Sequence, residues 1–469
     1  MRKTKIIATM GPACSTEQEL EKMVKSGLNV ARFNMSHGDH NSHKVLIDVV
    51  KKVRDKLGVS LPIVIDTRGP EIRIRQFENG SVELRQKTRF ILTTKSVLGN
   101  EDCVAVNYRK LPQIVGKGTK ILIADGLIEL RVLDKNDTDI LCEVVVGGKL
   151  SNNKSINIPG VKLDLPYLSD IDKGDLTFAV QQGAQFVAIS FVSNANDVKT
   201  VRNYLKLIDG ERLKIISKIE NQDGVDNIDA IIEASDGIMV ARGDLGVEVP
   251  FERIPEIQKT IIRKCNEAGK LVITATEMLE SMITNTRPTR AEISDVANAI
   301  LDGTDAIMLS GETSVGAHPA LVVSVMAKIA EMAEIGKVGH IDYSSFEAVK
   351  GDLTASVAFG ACALASASNA KAIIAVTKSG VTAMQISRFK PVAPLLGCTP
   401  DEFVFHTLGA YYGVMPIKQA KTDSIDKLLV QARSVACEAG LVKKGDLVVQ
   451  TAGKEINMSG SNMLILNYI

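Results

Sequence analysis

Three things are scarce in this chain, and each scarcity narrows what it can be. There is no surplus of charge: 56 Lys and Arg balance 55 Asp and Glu across 469 residues, for a net charge of +1. Without a basic field, no nucleic-acid partner is expected. Long apolar runs are also missing. None approaches the roughly 20 residues of a membrane-spanning helix, so no membrane partner is expected either. The third scarcity is paired cysteine. Cys14, Cys103, Cys142, Cys265, Cys362, Cys398 and Cys437 are odd in number and none lies at metal-clip spacing from another. They read as free or buried thiols of a reducing compartment. The first ten residues are basic but hold only a short apolar stretch before Gly11-Pro12. That suits a first strand better than a secretory leader, and the expected location is cytoplasmic.

What is present is a chain with 45% hydrophobic residues, long enough for two or three domains. Apolar, β-branched runs at Lys5–Met10, Asn29–Met35, Pro62–Asp66, Phe186–Phe191, Lys214–Ile219, Gly237–Ala241, Leu271–Ala275 and Asp305–Leu309 read as strands. Helical stretches lie between them, at Ser15–Ser26, His40–Lys56, Ser193–Ile208, Ile254–Ala268 and Thr289–Leu301. Eight strand–helix units satisfy the count of a (β/α)₈ TIM barrel, although a doubly wound sheet alternates in the same way.

After Asp66-Thr67-Arg68-Gly69-Pro70 the expected helix is missing. Roughly a hundred residues of short strands and turns follow instead, the pattern of a small all-β module. Inserted after the third strand, it would sit over the carboxyl end of the barrel as a lid. The expected division is 1–69 and 166–345 for the barrel, 70–165 for the inserted β-barrel lid, and 346–469 for a final α/β unit. In that last unit Phe346–Ser366 reads as helix. Ala372–Thr377, Val392–Gly397, Val414–Ile417 and Asp446–Gln450 read as strands, and Ser424–Ala439 as a further helix.

Charged and hydroxyl residues collect where the barrel strands end. Lys218 and Glu220 are two apart in an apolar run, so they project to one side. An isolated Lys-x-Glu is ordinarily a structural ion pair. A second acidic strand end, Ala241-Arg242-Gly243-Asp244, changes that reading, because Glu220 and Asp244 could share one divalent cation, Mg²⁺ or Mn²⁺. Lysine, carboxylates and a metal are the equipment of phosphoryl transfer. Arg32, Asn34 and Ser36 end strand two on one face by period two. Asp66 and Thr67 end strand three, Thr274, Thr276 and Glu277 end strand seven, and Ser310 and Thr313 follow strand eight. Any one of these could instead cap the next helix.

These segments carry a resemblance to a known family. Ser217-Lys-Ile-Glu-Asn-Gln-Asp-Gly224 resembles the active-site signature of the pyruvate kinases. The segments Ala31–Gly38, Asp66–Arg73, Met239–Glu248, Thr274–Met282 and Met308–Thr313 recur in that family's order. The resemblance runs over essentially the whole chain. It implies transfer of the phosphoryl group of phosphoenolpyruvate to ADP, a step of glycolysis. Lys218 then matches the lysine that neutralises the phosphoryl group, and Thr276 the residue linked to enolate protonation, with a water chain there as the expected proton donor. Arg32 and Arg73 match the arginines on the phosphates, with Asn34 and His37 beside them at the nucleotide. The backbone of Ala241, Arg242, Gly243 and Asp244 matches the cradle of the substrate carboxylate. Glu220 and Asp244 match the Mg²⁺ ligands, and Asn34, Ser36, Asp66 and Thr67 the K⁺ ligands. Members with glutamate at the position of Glu71 resemble K⁺-dependent enzymes, whereas a lysine there replaces the ion.

The resemblance also implies an allosteric site and a homotetramer. Thr377, Lys378, Ser379, Gly380 and Thr382, between a strand and a helix, match the family's effector-phosphate loop. Backbone N–H groups and hydroxyls favour an anion there, and capping by Ser379 is the plainer alternative. Relatives that bind fructose 1,6-bisphosphate often have a tryptophan and an arginine near the end. The tail from Gln450 to Asn462 has neither, so another phosphorylated small molecule is expected. No counterpart of the extra carboxyl-terminal domain of some bacterial members is expected after Ile469. Ile171 stands where many relatives have a nucleotide-phosphate lysine, and Ser193-Asn194 replaces a basic pair. Nucleotide contacts in that hinge, including any from Lys173, are therefore left open. The small-residue helix Thr354–Ser366 could be a subunit contact or an internal core helix. Two rivals remain at this level: a barrel lyase or aldolase using phosphoenolpyruvate or pyruvate, and a silent metabolite sensor.

Overall fold

The computed structural model describes residues 2–161, 166–335, 351–422, 424–453 and 461–469. Eight parallel strands close a barrel: β1 (Lys5–Thr9), β2 (Val30–Asn34), β3 (Ile63–Asp66), β4 (Phe186–Ile189), β5 (Lys214–Ile219), β6 (Gly237–Ala241), β7 (Leu271–Ala275) and β8 (Ala306–Leu309). Each strand pairs with its neighbours in sequence, and β8 pairs with β1 to complete the ring. The outer helices start where side chains offer caps. Thr16 accepts from Glu19 N, Asp39 from Ser42 N, and Thr289 from Glu292 N, each satisfying a donor that the first helical turn leaves free.

The two-residue period of the strands sorts the core into layers. Ile6, Phe33, Ile63, Ile65, Ile215, Val240 and Leu309 point outward and pack against the helices. Ile7, Val30, Val64, Phe186, Ala188, Ile216, Met239 and Ile273 fill the interior. That interior layer is continuous with Leu408, Tyr411 and Val414 of the last unit, which closes the amino end of the barrel. The Lys5 ammonium donates to Val414 O at 2.7 Å, and Gly413 N donates to Lys3 O at 2.9 Å across the same seam.

Between β3 and β4 lies a seven-stranded sheet whose edge strands are Ile72–Arg73 and Cys103–Ala105, plus the ribbon Ser81–Leu84 with Gly148–Ser151. A bridge between Ile74 and Val106 joins the two edges, so the sheet curls toward closure around its own core of Phe90, Leu130, Ile140 and Cys142. The module leans on the barrel, where Asn157 Nδ2 donates to Glu248 Oε1 at 2.8 Å.

The final unit is a five-stranded sheet: β9 (Ala372–Val376), β10 (Leu395–Thr399), β11 (Val414–Lys418), β12 (Leu447–Ala452) and β13 (Met463–Tyr468). Its order is β11-β10-β9-β12-β13, with β13 antiparallel. Several expectations are corrected here. Strand four stops at Ile189, because Phe191 turns into the left-handed region at φ 56. The expected strand at Val392–Gly397 starts only at Leu395, just past Pro394, which has no N–H for a ladder. The fifth strand, β13, is absent from the sequence reading. The expected helix from Phe346 is described only from Leu353 to Ala367, and residues 346–350 lie outside the described residues. One face of that helix is internal, since Ala358, Ala361, Cys362 and Ala365 pack into the core. Among the described residues no helix is long and apolar enough to cross a membrane.

Candidate active site

The parity that fills the barrel interior with apolar side chains turns charged at the carboxyl end. Arg32 continues the inward row of Val30, Asp66 that of Val64, and Lys218 that of Ile216. Lys218, only 8% exposed, stands 2.8 Å from Glu220 Oε1 and 3.2 Å from Asp66 Oδ1, and donates to Ser190 Oγ at 2.8 Å. Burial alone would lower its pKa. Asp66, Glu220 and Asp244 more than offset that, and the ammonium is held above its ordinary range. Asp66 is fully buried. Its second oxygen takes Arg32 Nε at 2.7 Å, and Arg32 also donates to Thr9 Oγ1 at 2.8 Å. Burial would raise the Asp66 carboxyl, but Arg32 and Lys218 bring it below the usual range.

Carboxylates dominate the opposite side. Burial is the main cause that pushes Glu220 up to about 8; Lys218 pulls it down and Asp244 adds to the rise. Glu71 and Glu248 are raised by burial first, and Asp244 contributes to each. Glu220 Oε2 accepts from Phe191 N at 2.6 Å, while its buried Oε1 faces the Lys218 ammonium at 2.8 Å. A concentration of carboxylates in which Asp244 raises Glu220, Glu71 and Glu248 is the kind of setting that suits a cation. Glu220 and Asp244 carry carboxylate oxygens of the type that could hold Mg²⁺ or Mn²⁺. Among the described residues no cluster of three or more His, Cys, Asp or Glu is arranged to hold a metal.

Ala241 ends β6, and Arg242–Glu248 forms a short helix, so the amides of Arg242, Gly243 and Asp244 form its first turn. The Arg242 guanidinium turns away and is committed to Asp295, at 2.7 and 2.8 Å, and to Thr276 O at 2.6 Å. Only its backbone can serve a ligand. Gly243 N donates to Thr276 Oγ1 at 2.8 Å. Thr276 and Glu277 lie beyond β7 with φ of 68 and 53. Strained non-glycine backbone of this kind clusters at functional sites.

Asn34 faces Asp66 across the β2–β3 register. Ser36 lies past the end of β2, so strand period does not place it. Instead its N–H donates to Asn34 Oδ1 at 3.1 Å. Thr67 is buried, and its carbonyl accepts from Ser190 Oγ at 2.8 Å. These four residues offer oxygen donors suited to a hard monovalent cation, although both Asp66 oxygens already face cationic side chains. Arg73 bridges Glu71, by Nε at 2.7 Å, and Asn153 O, by NH1 at 2.8 Å. His37 sits in an exposed turn, where burial of its ring followed by Arg73 and Arg32 lowers its pKa.

Other expected positions serve the fold. The Thr274 hydroxyl donates to Thr304 inside the barrel wall, and that of Thr313 to Thr9 O. Ser310 makes no side-chain cap. Ile171 is 57% exposed, and Lys173 pairs with Asp170 at 2.8 Å. Ser190 was missed by the sequence reading, being one of many serines, and only its contact with Lys218 distinguishes it.

A second candidate lies after β9. Gly380 N donates to Thr377 Oγ1 at 2.9 Å, and Gly380, not Ser379, occupies the N-cap of the helix Val381–Ser387. Its φ of +87 favours glycine, whereas Met384 Cε, 2.9 Å from where a Cβ would stand, is the movable end of a flexible side chain. Lys378 and Ser379 are exposed, whereas Thr382 is buried with its hydroxyl 2.6 Å from Ser461 Oγ.

Comparison with known proteins agrees with this architecture. Residues 1–323 match the family model "Pyruvate kinase, barrel domain", and residues 355–466 match "Pyruvate kinase, alpha/beta domain". The chain is 46% identical over 471 residues to a pyruvate kinase of Clostridium acetobutylicum, covering 99% of each chain. It is 45% identical to that of Sporosarcina psychrophila, covering 99% of this chain and 80% of the relative. A crystal structure of a pyruvate kinase from Cryptosporidium parvum superposes with a TM-score of 0.92 at 39% identity, covering 100% of this chain and 96% of the other. With both of its units matched and a barrel mouth built from Lys218, Asp66, Arg32 and Glu220, this chain belongs to the pyruvate kinase family, the glycolytic phosphotransferases that make ATP and pyruvate from ADP and phosphoenolpyruvate.

Proposed function

We propose that phosphoryl transfer from phosphoenolpyruvate to ADP takes place at the carboxyl mouth of the barrel, with Lys218 acting on the phosphoryl group. The observation that carries this is the lysine itself: a buried ammonium, kept charged by Asp66, Glu220 and Asp244, at the mouth of the barrel. Charge fixed before the reaction favours a transition state whose negative charge is spread over phosphoryl oxygens. Mg²⁺ or Mn²⁺, when bound at Glu220 and Asp244, neutralises phosphoryl and carboxylate oxygens. The first-turn amides of Arg242 and Asp244 hold the substrate carboxylate, and Gly243, whose N–H is taken by Thr276 Oγ1, allows the close approach. Thr276, fixed by Gly243 N, lies beside the carbon that takes up the proton when the enolate becomes pyruvate. Arg32 and Arg73 grip phosphates, where a guanidinium fork suits paired oxygens, with Asn34 and His37 at the nucleotide side. Asn34, Ser36, Asp66 and Thr67 are the proposed K⁺ ligands.

The proposed division is a barrel of residues 1–69 and 166–345, a lid of 70–165 and a regulatory unit of 346–469. Two of these boundaries fall at residues outside those described. Thr377, Lys378, Ser379, Gly380 and Thr382 are the proposed site for a phosphorylated effector, in a cytoplasmic homotetramer. The test is a steady-state assay of ATP formation from phosphoenolpyruvate and ADP, with and without K⁺, across a panel of phosphorylated metabolites. ATP formation separates this reading from a barrel lyase or aldolase. Effector binding without turnover would favour a silent sensor.

A further inference from the structure

The turn that ends β4 has no part in the reaction as described, yet it touches both residues at its centre. Ser190 Oγ accepts from Lys218 Nζ at 2.8 Å, and the next amide, Phe191 N, donates to Glu220 Oε2 at 2.6 Å. Phe191 holds a left-handed φ of 56 to do so, a conformation that bulky residues adopt only under constraint.

A hydroxyl has one proton to give. For Ser190 Oγ, Thr67 O at 2.8 Å is the near acceptor and Asp66 Oδ1 at 3.5 Å the far one, and either leaves a lone pair for the lysine. An ammonium has three protons to give, and Glu220 Oε1 at 2.8 Å, Asp66 Oδ1 at 3.2 Å and Ser190 Oγ at 2.8 Å are the partners of Lys218. A lysine stem is flexible, so the third contact, from Ser190, completes the set that fixes where the ammonium points.

Both connecting segments of the lid hold Ser190. On the outgoing segment, Thr67 O is the near acceptor of its proton. Gly69, at φ +72, packs so closely that a Cβ would stand 2.9 Å from Ser190 Cβ and 3.0 Å from its carbonyl oxygen. Gly69 N is in turn tied to Asp172 Oδ1 at 2.9 Å. On the returning side, the Tyr167 hydroxyl donates to Ser190 O at 2.9 Å. A change of lid angle therefore reaches Ser190 through contacts on both connecting segments.

We propose that Ser190 is a positioning residue for phosphoryl transfer, aiming the Lys218 ammonium while the two segments that connect the lid hold it in register. This rests on the reading of Lys218 as the group that acts on the phosphoryl. Two reactions of the full-length protein separate aiming from general support. One is ATP formation from phosphoenolpyruvate and ADP. The other is exchange of the pyruvate methyl protons with solvent deuterium, followed by NMR, which needs enolisation but no phosphoryl transfer.

For Ser190→Ala, kcat for ATP formation should fall by about 30-fold or more, with exchange and the KM for phosphoenolpyruvate within about threefold of wild type. Tyr167→Phe, which loses a single hydroxyl and folds if Ser190→Ala does not, should show the same selective loss at about three- to tenfold. Parallel loss of both reactions, or loss of neither, overturns the proposal. Lys218→Met measured alongside keeps the two levels apart. If it loses transfer while Ser190→Ala retains it, only the role of Ser190 fails. If Lys218→Met retains transfer, the underlying reading fails as well.

Discussion

Lys218 and Glu220, two residues apart on one face of the chain, form an ion pair of 2.8 Å in which the carboxylate is 1% exposed and the ammonium 8%. A pair so buried gains little stability over an apolar pair of the same size, since each charge costs several kcal/mol to desolvate. Its position at the barrel mouth, with Asp66 and Asp244 adding to the field on the lysine, gives it a use in catalysis instead.

The first prediction follows from that lysine. Lys218→Met, similar in volume, should lower kcat for ATP formation by more than about a hundredfold while the KM for phosphoenolpyruvate stays within a few-fold, because charge present mainly in the transition state affects kcat. Steady-state kinetics decide it. A loss under tenfold, about 1.4 kcal/mol of barrier, would remove the role.

Metal binding should depend on both strand-end carboxylates. Glu220→Ala and Asp244→Ala each take an anionic oxygen from a site with two, and each should weaken Mn²⁺ binding by tenfold or more, on the order of 1.4 kcal/mol. Water-proton relaxation titrated with Mn²⁺ measures this without turnover. Unchanged affinity in both variants would place the metal elsewhere.

Glu71 is expected to set the K⁺ requirement. It pairs with Arg73 at 2.6 Å and lies within the field of Asp244 and Lys218. Wild-type activity should fall steeply when a bulky organic cation replaces K⁺. Glu71→Lys should restore much of it, since a unit charge about 4 Å away is worth several kcal/mol at a protein-like dielectric. Glu71→Gln, which adds no cation, should not. Equal wild-type rates with and without K⁺ would end the monovalent assignment.

Lys5 gives a signed pH effect. Burial foremost, and Arg2 after it, push its pKa down to about 7, with Glu334 acting against them. The folded-state value lies below the unfolded one, so the buried charge costs stability fully below about pH 7. The cost disappears as pH rises toward the ordinary lysine range. Lys5→Met removes the charge along with the hydrogen bond to Val414 O. The variant's stability relative to wild type should therefore be more favourable at pH 6.5 than at pH 9.5, by an amount on the order of a few kcal/mol. Thermal midpoints of the two proteins at both pH values measure the difference. A gap independent of pH would show that Lys5 stays charged in the fold.

The sequence alone determined the eight strand–helix units, the interruption after Asp66 and the strand ends that carry charge, because alternation of side chains along a strand is local and is written in the order of residues. Val30, Arg32 and Asn34, or Ile216, Lys218 and Glu220, share a face whatever surrounds them. Chain order could not show which groups meet across strands. That Asp66 holds Arg32 and Lys218 together, that the Arg242 side chain leaves the cleft for Asp295, and that Ser190 links the lysine to Tyr167 and Gly69 are consequences of barrel closure. The left-handed turns at Phe191 and Thr276 were equally hidden, since tertiary contacts impose them against local preference. Strand β13 was missed because its antiparallel place beside β12 depends on pairing along the whole strand.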